Sequence, residues 1–231
     1  MASTTEAAVD LAAPTQRPAI PGGVVAAIAG PLLLAACNLA VEFTPGRPDA
    51  EETADLIGLA GEQAGLFQAS SAIGFVAAAL LVPGIWTVTA RLRPRAPRLA
   101  AVGGWMMATG YIMFVALGIE SLILVAVARG GDPSSFANAI DNHTSPVMLG
   151  LYMVFGLGAL GGGLILGIAM LRHRGGVPAW AGWAMIASEP IRIVGLLTGV
   201  PLVGPPLASV LIAVAFAGVL LAARRLARGE A

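Results

Sequence analysis

The chain contains no lysine: all 13 of its basic residues are arginine. Without a primary amine side chain no imine can form, so Schiff-base chemistry, a retinal chromophore included, is excluded. A single cysteine, Cys37, rules out an intramolecular disulfide and a thiolate metal cluster. The two histidines, His143 and His173, are too far apart for a local metal motif, and they fall at opposite membrane faces, which argues against a bis-histidine haem. Also missing are a glycine-rich phosphate loop, HExxH, GxSxG, a paired DxxxD and a repeated transporter half. No serine has an adjacent His–Asp partner, which leaves a hydrolase without support. No cofactor or metal is expected. Charged residues make up only 11% of the chain, against about 25% in ordinary soluble domains. The net charge is zero, so nothing points to a nucleic-acid partner.

What the chain has instead is apolar length. It is 57% hydrophobic with 30 glycines among its 231 residues. Six continuous apolar runs, at about 24–41, 66–90, 99–128, 147–171, 178–200 and 207–223, are long enough to cross a hydrocarbon core of about 30 Å. Unbroken runs of this length predict helices rather than strands. The expected fold is therefore all-α, a six-helix transmembrane domain over about 23–225. A polar tail (1–22) precedes it and a short one (226–231) follows. Leu34-Ala35-Ala36-Cys37 has the form of a lipoprotein cleavage site. It lies late for a signal peptide, however, and the apolar run continues past it, so it reads as part of the first span.

Residues 42–65 form a polar connector whose Leu56, Ile57, Leu59 and Ala60 offer the apolar face of a surface helix; a solvated acidic loop is the other reading. Arg129 to Pro146 reads as a polar loop with turn chemistry at Gly130, Gly131 and Pro133. With the N-terminus inside, ten arginines lie on the cytoplasmic side and only Arg47 and Arg129 outside, so both termini are expected to be cytoplasmic. Trp86, Trp105, Trp180 and Trp183 then gather at the inner interface. The fourth span carries Gly158/Gly162 and Gly163/Gly167 at the spacing of closely packed membrane helices. The Ala/Gly/Arg-rich, lysine-free composition fits a GC-rich bacterial genome, and with it a multi-pass place in the bacterial inner membrane.

Ionisable residues inside a span are costly, and they usually face a protein interior or cavity. Here Glu189, Pro190 and Arg192 interrupt the fifth span near mid-membrane, and Glu120 lies in the outer half of the third. Around them, in the same half, stand Asn38, Glu42, Gln68, His143 and Tyr152. Glu120 and Glu189 are the candidate proton donors or acceptors, and Arg192, Glu42, Gln68, His143, Tyr152 and Asn38 the candidate ligand-binding groups. Against this, Glu189 and Arg192 stand at i, i+3 and can pair with one another as a structural clip. Glu120 has no basic neighbour one turn away and is expected to be protonated, solvated or paired with Arg192 across the bundle. Pro190 removes one helical hydrogen bond and predicts a kink.

Two stretches, GEQAGLFQASSAIGFVAAALLVPGIWTVTARLRPRAPRLA and YMVFGLGALGGGLILGIAMLRHRGGVPAWAGWAMIAS, cover about a third of the chain. They resemble an uncharacterised family of small bacterial multi-span membrane proteins, known only as a domain of unknown function. The resemblance implies architecture and brings no catalytic residues, and Glu189-Pro190-x-Arg192 has no counterpart in its pattern. Three functions follow from the residues themselves. One is a protein that binds or carries a small, partly apolar molecule in a polar pocket of the outer half. Another is an intramembrane enzyme acting on a lipid or isoprenoid by carboxylic-acid proton chemistry, with aromatic faces to stabilise positive charge. The third is a structural or accessory subunit. The expected partners are membrane lipid and a small lipophilic ligand.

Overall fold

A computed structural model describes residues 21–47, 52–143, 145–173, 176–198 and 204–229, and every element among them is helical. Of the expected tail over 1–22, residues 1–20 lie outside the described residues, and Pro21 and Gly22 belong to the first helix. Helix α1 is Pro21–Glu42, α2 Thr53–Glu62, α3 Ala64–Leu92, α4 Pro97–Gly130 and α5 Pro133–Asn142. The next span comes in three parts: α6 (Pro146–Gly156), a π-helical turn (Leu157–Gly161) and α7 (Gly162–Arg172). Helices α8 (Ala179–Thr198) and α9 (Pro205–Ala227) complete the chain.

Among the described residues five helices are long and apolar enough to cross a membrane: α1, α3, α4, the continuous Pro146–Arg172 and α9. The fifth apolar run folds as the 20-residue α8 but is not among these five. Ser188, Glu189, Pro190 and Arg192 dilute its apolar character. At about 1.5 Å per residue it still reaches about 30 Å. The long helices close a ring: α1 packs on α3, α3 on α4, α4 on the π turn and α7, α7 on α8, α8 on α9, and α9 back on α1. One end, where α3, α7 and α9 finish, is rich in arginine; the distal end is the other, where α1, α4 and α8 finish.

Lipid is as apolar as a leucine side chain, so membrane helices associate through close packing rather than through release of water. Glycine supplies that closeness here. A Cβ at Gly84 of α3 would stand 2.7 Å from the Ala27 Cα of α1, and one at Gly162 would stand 2.7 Å from the Met107 Cα of α4. Gly158 meets the Met106 carbonyl oxygen and Gly110, whereas Gly167 faces Gly182 of α8, where a Cβ on either would come within about 3 Å of the other's carbonyl oxygen. The two small-residue pairs of the fourth span therefore serve two neighbours: Gly158/Gly162 seat α4, and Gly163/Gly167 seat α8.

The connector contains the helix α2. Ile57, Leu59 and Ala60 of α2 are buried, and the Asp55 carboxylate accepts the Glu52 N–H at 3.2 Å, satisfying a donor at the helix start. The polar loop expected over 129–146 is corrected by α5. Asp132 caps that helix by accepting the Ser134 N–H at 3.2 Å, and Pro133 occupies its first turn. The hydroxyls of Ser135 and Ser134 hold the exposed Asp132 carboxyl below the usual carboxylate range. Thr53 of α2 donates to Asp141 of α5 at 2.5 Å, tying the two distal helices together. At the arginine-rich end Trp86 and Trp105 pack edge to face, 5.4 Å apart, while Trp105, Trp180 and Trp183 are exposed, as an interfacial belt requires.

A leucine at Gly162 must push α4 away from α7 and should lower unfolding stability by about 1–3 kcal/mol. Gly150→Ala, where a Cβ meets open space, should leave the melting curve of the detergent-solubilised protein unchanged. Equal melting of the two variants would contradict the backbone contact.

Candidate functional site

Six of the eight residues expected to form one site are distributed over three places. The first is the ion pair of α8. Glu189 is 1% exposed and Arg192 8%, both on the face turned into the bundle, while Pro190 points outward. The helix runs through Pro190 without interruption. Arg192 Nε lies 3.5 Å from Glu189 Oε2, close enough for an ion pair but without hydrogen-bond geometry. Arg192 Nη2 donates to the Tyr111 hydroxyl of α4 at 3.4 Å. The Ser188 hydroxyl lies 2.7 Å from the Met185 carbonyl and 3.1 Å from Glu189 Oε1, so its single proton goes mainly to the backbone. Opposite, a Cβ at Gly163 of α7 would come within 2.5 Å of Glu189 Oε1; only glycine leaves room for the carboxylate. The pair is thus enclosed by α4, α7 and α8.

Glu120 does not join it. The partners of Arg192 among the described residues are Glu189 and Tyr111, so of the three states open to Glu120 the pairing with Arg192 is not formed. Glu120 instead accepts a hydrogen bond from Tyr152 of α6. It lines a distal cavity of about 450 Å³ enclosed by α1, α2, α3, α4 and the tip of α8. Phe67, Phe75, Phe114 and Leu124 give that cavity apolar walls, and Asn38, Arg47 and Glu120 bring polar groups to it.

The hydroxyls in the cavity wall have already spent their protons. Thr44 donates to the Ala40 carbonyl at 2.9 Å, Ser70 to Phe67 at 3.0 Å, Ser71 to Phe67 at 2.8 Å and Ser121 to Leu117 at 3.2 Å. The Cys37 thiol points at the Ser70 carbonyl, 3.2 Å away, and the Asn38 amide donates to Ser209 of α9 at 3.2 Å. Apart from Arg47 and the second N–H of the Asn38 amide, what remains for an occupant is acceptors: hydroxyl lone pairs and the Glu120 carboxylate.

The third place is a second cavity of about 470 Å³ between α4, α5 and α6, almost wholly apolar, which His143, Tyr152 and the other side of Glu120 line. Glu120 and Leu124 therefore stand in the wall between two cavities. Of the remaining expected residues, Gln68 is exposed, Glu42 is half-buried, and neither lines a cavity described here. Cys37 and Arg47 of the distal cavity were not expected there. The signal for Cys37 was its place beside Asn38, one helical turn before Val41, which also lines the cavity. No group of three or more metal-ligating side chains occurs among the described residues.

Removing one partner of the α8 pair leaves a buried charge unmatched. Arg192→Leu should destabilise the protein by about 3–5 kcal/mol, whereas the double change Glu189→Leu with Arg192→Leu should recover most of that loss. Denaturation of all three proteins in the same detergent decides the point, and a double variant no more stable than Arg192→Leu would show that the two charges do not act as a pair.

Comparison with protein-family models, with characterised proteins and with solved structures found nothing that matches this chain.

Proposed function

We propose that the protein is a six-span membrane protein, α8 being the sixth span, with both termini on the cytoplasmic side. In this reading it binds or carries a small, largely apolar molecule in the distal cavity. The observation that carries the reading is the cavity of about 450 Å³ with aromatic and aliphatic walls, an acceptor-rich lining and the Glu120 carboxylate. Its size is that of an ordinary small-molecule site. Because the serine and threonine protons are committed to the helices, the best occupant donates hydrogen bonds, as an alcohol or an amine does. Glu120 receives that group, and Tyr152 holds Glu120 in place from α6. The Glu189–Arg192 pair, enclosed and matched within its own helix, fixes the packing of α4, α7 and α8 rather than taking the ligand. Ten arginines against two support the orientation, and the bacterial inner membrane is the setting that composition favours.

Cys37, the chain's lone thiol, lines this cavity and reports its occupancy. Decylamine and decanol should slow alkylation of Cys37 by N-ethylmaleimide, and decanoate, which has Arg47 but not Glu120 to pair with, should do so less. Glu120→Gln should weaken decylamine protection by about tenfold, the loss of one charge-assisted hydrogen bond. Equal protection by decanoate, or an unchanged response in Glu120→Gln, would remove the basis for the proposal. Mass spectrometry of the molecule recovered after incubation separates a carrier from an enzyme, since only an enzyme returns it chemically altered.

A further inference from the structure

The arginine-rich end contains a second polar cavity, of about 260 Å³, that owes nothing to the distal one. It lies between the end of α3, the turn from α7 to α8 and the last turns of α9. Arg91, Arg95 and His173 supply its nitrogens, Val177, Val219 and Ala222 its apolar floor, and no acidic side chain among the described residues lines it. His173 is 4% exposed, and its Nδ1 has no hydrogen-bond partner among the described residues. Gly176 brings the turn onto this imidazole: a Cβ there would stand 2.5 Å from Nδ1 of His173 and 3.7 Å from Nη1 of Arg95. The guanidinium, the imidazole and the backbone of the turn therefore meet at one point.

We infer that this cleft binds a phosphate group. Asymmetry of arginine across the membrane explains why Arg91 and Arg95 lie on this side. It does not explain a cavity between them, nor a buried imidazole whose Nδ1 has no partner among the described residues. Bringing cations beside a buried histidine without an anion is unfavourable. Burial, and then Arg95, hold the His173 imidazole below its ordinary pKa, in the neutral form. A phosphate reverses each of these costs. Its oxygens accept from the Arg95 fork, from Arg91 and from an imidazole N–H, and its negative charge offsets the two cations.

The cleft is at the ends of membrane-crossing helices, the depth of lipid head groups, and its apolar floor on α9 continues into the span. Basic pockets between membrane helices hold anionic head groups in this way. The same chemistry admits a soluble phosphate, so the two sources are separated by experiment.

The full-length protein, stripped of lipid in detergent, is titrated with dioleoyl phosphatidylglycerol, with dioleoylglycerol (the same chains without phosphate) and with inorganic phosphate, and binding is followed by thermal shift and native mass spectrometry. Phosphatidylglycerol should raise the melting temperature and remain bound, and dioleoylglycerol should do neither. Stabilisation by inorganic phosphate as well identifies a soluble phosphate as a ligand, and its failure assigns the site to lipid. Arg95 is exposed, so Arg95→Gln should fold normally and bind phosphatidylglycerol about tenfold more weakly, with Arg95→Lys in between. Equal affinity of wild type and Arg95→Gln, or dioleoylglycerol binding as well as phosphatidylglycerol, overturns the inference.

Discussion

Backbone-to-backbone approach at glycine holds the middle of this molecule together. The faces of α4 and of the π turn with α7 meet at Gly103, Gly110, Gly158 and Gly162, where even one methyl group would collide with the opposite main chain. That contact fixes the rotation of α7, and the rotation decides what α7 shows to α8. It shows Gly163 and Gly167. Gly163 gives the Glu189 carboxylate its space, and Gly167 brings the backbone of α8 close enough for the pair to reach Tyr111 of α4. The most polar point inside the bundle thus depends on the residues with the smallest side chains.

Two patterns recur among the polar side chains inside the bundle. Some are matched across helices, Arg192 with Tyr111 and Asn38 with Ser209, although the buried Thr89 hydroxyl has no partner among the described residues. The hydroxyls that face the distal cavity hand their protons back to the backbone three or four residues earlier. Returning the proton removes the cost of an unsatisfied donor in an apolar setting. It also gives the cavity its chemical sign, because lone pairs are left facing inward. Glu120 belongs to neither pattern alone: it is matched by Tyr152, yet lines open space on both sides of α4.

Much of the architecture was legible in the sequence. Hydropathy located the long helices to within a few residues, the spacing of Gly158/Gly162 and Gly163/Gly167 announced close contacts, and the i, i+3 spacing of Glu189 and Arg192 announced their pairing. Helix α5 was not legible because its segment has little apolar content; it exists through the Asp132 cap, the proline after it and its tie to α2. The π turn carries no compositional mark at all. The single polar site expected from depth divided into three for a geometric reason. Counting residues along a helix gives depth at about 1.5 Å each, but not the direction in which a side chain points. Asn38, Glu120 and Arg192 share a half of the bundle and face three different neighbours. The cleft around His173 leaves no mark of its own in the sequence, since arginines cluster at the ends of membrane helices whether or not a cleft lies among them.

None of the residues of α6 is buried, although it continues directly into α7, whose glycines are packed against two neighbours. The same span therefore obeys two different rules on either side of the π turn. In α7, exchanging one small residue for a larger one disturbs a backbone contact. In α6, Val147, Leu149 and Met153 are more than half exposed. Any apolar side chain of similar bulk meets the needs of those positions. Sequence drift in this protein should accordingly be uneven within one helix, free along the outer face of α6 and arrested within a single turn on reaching Gly158.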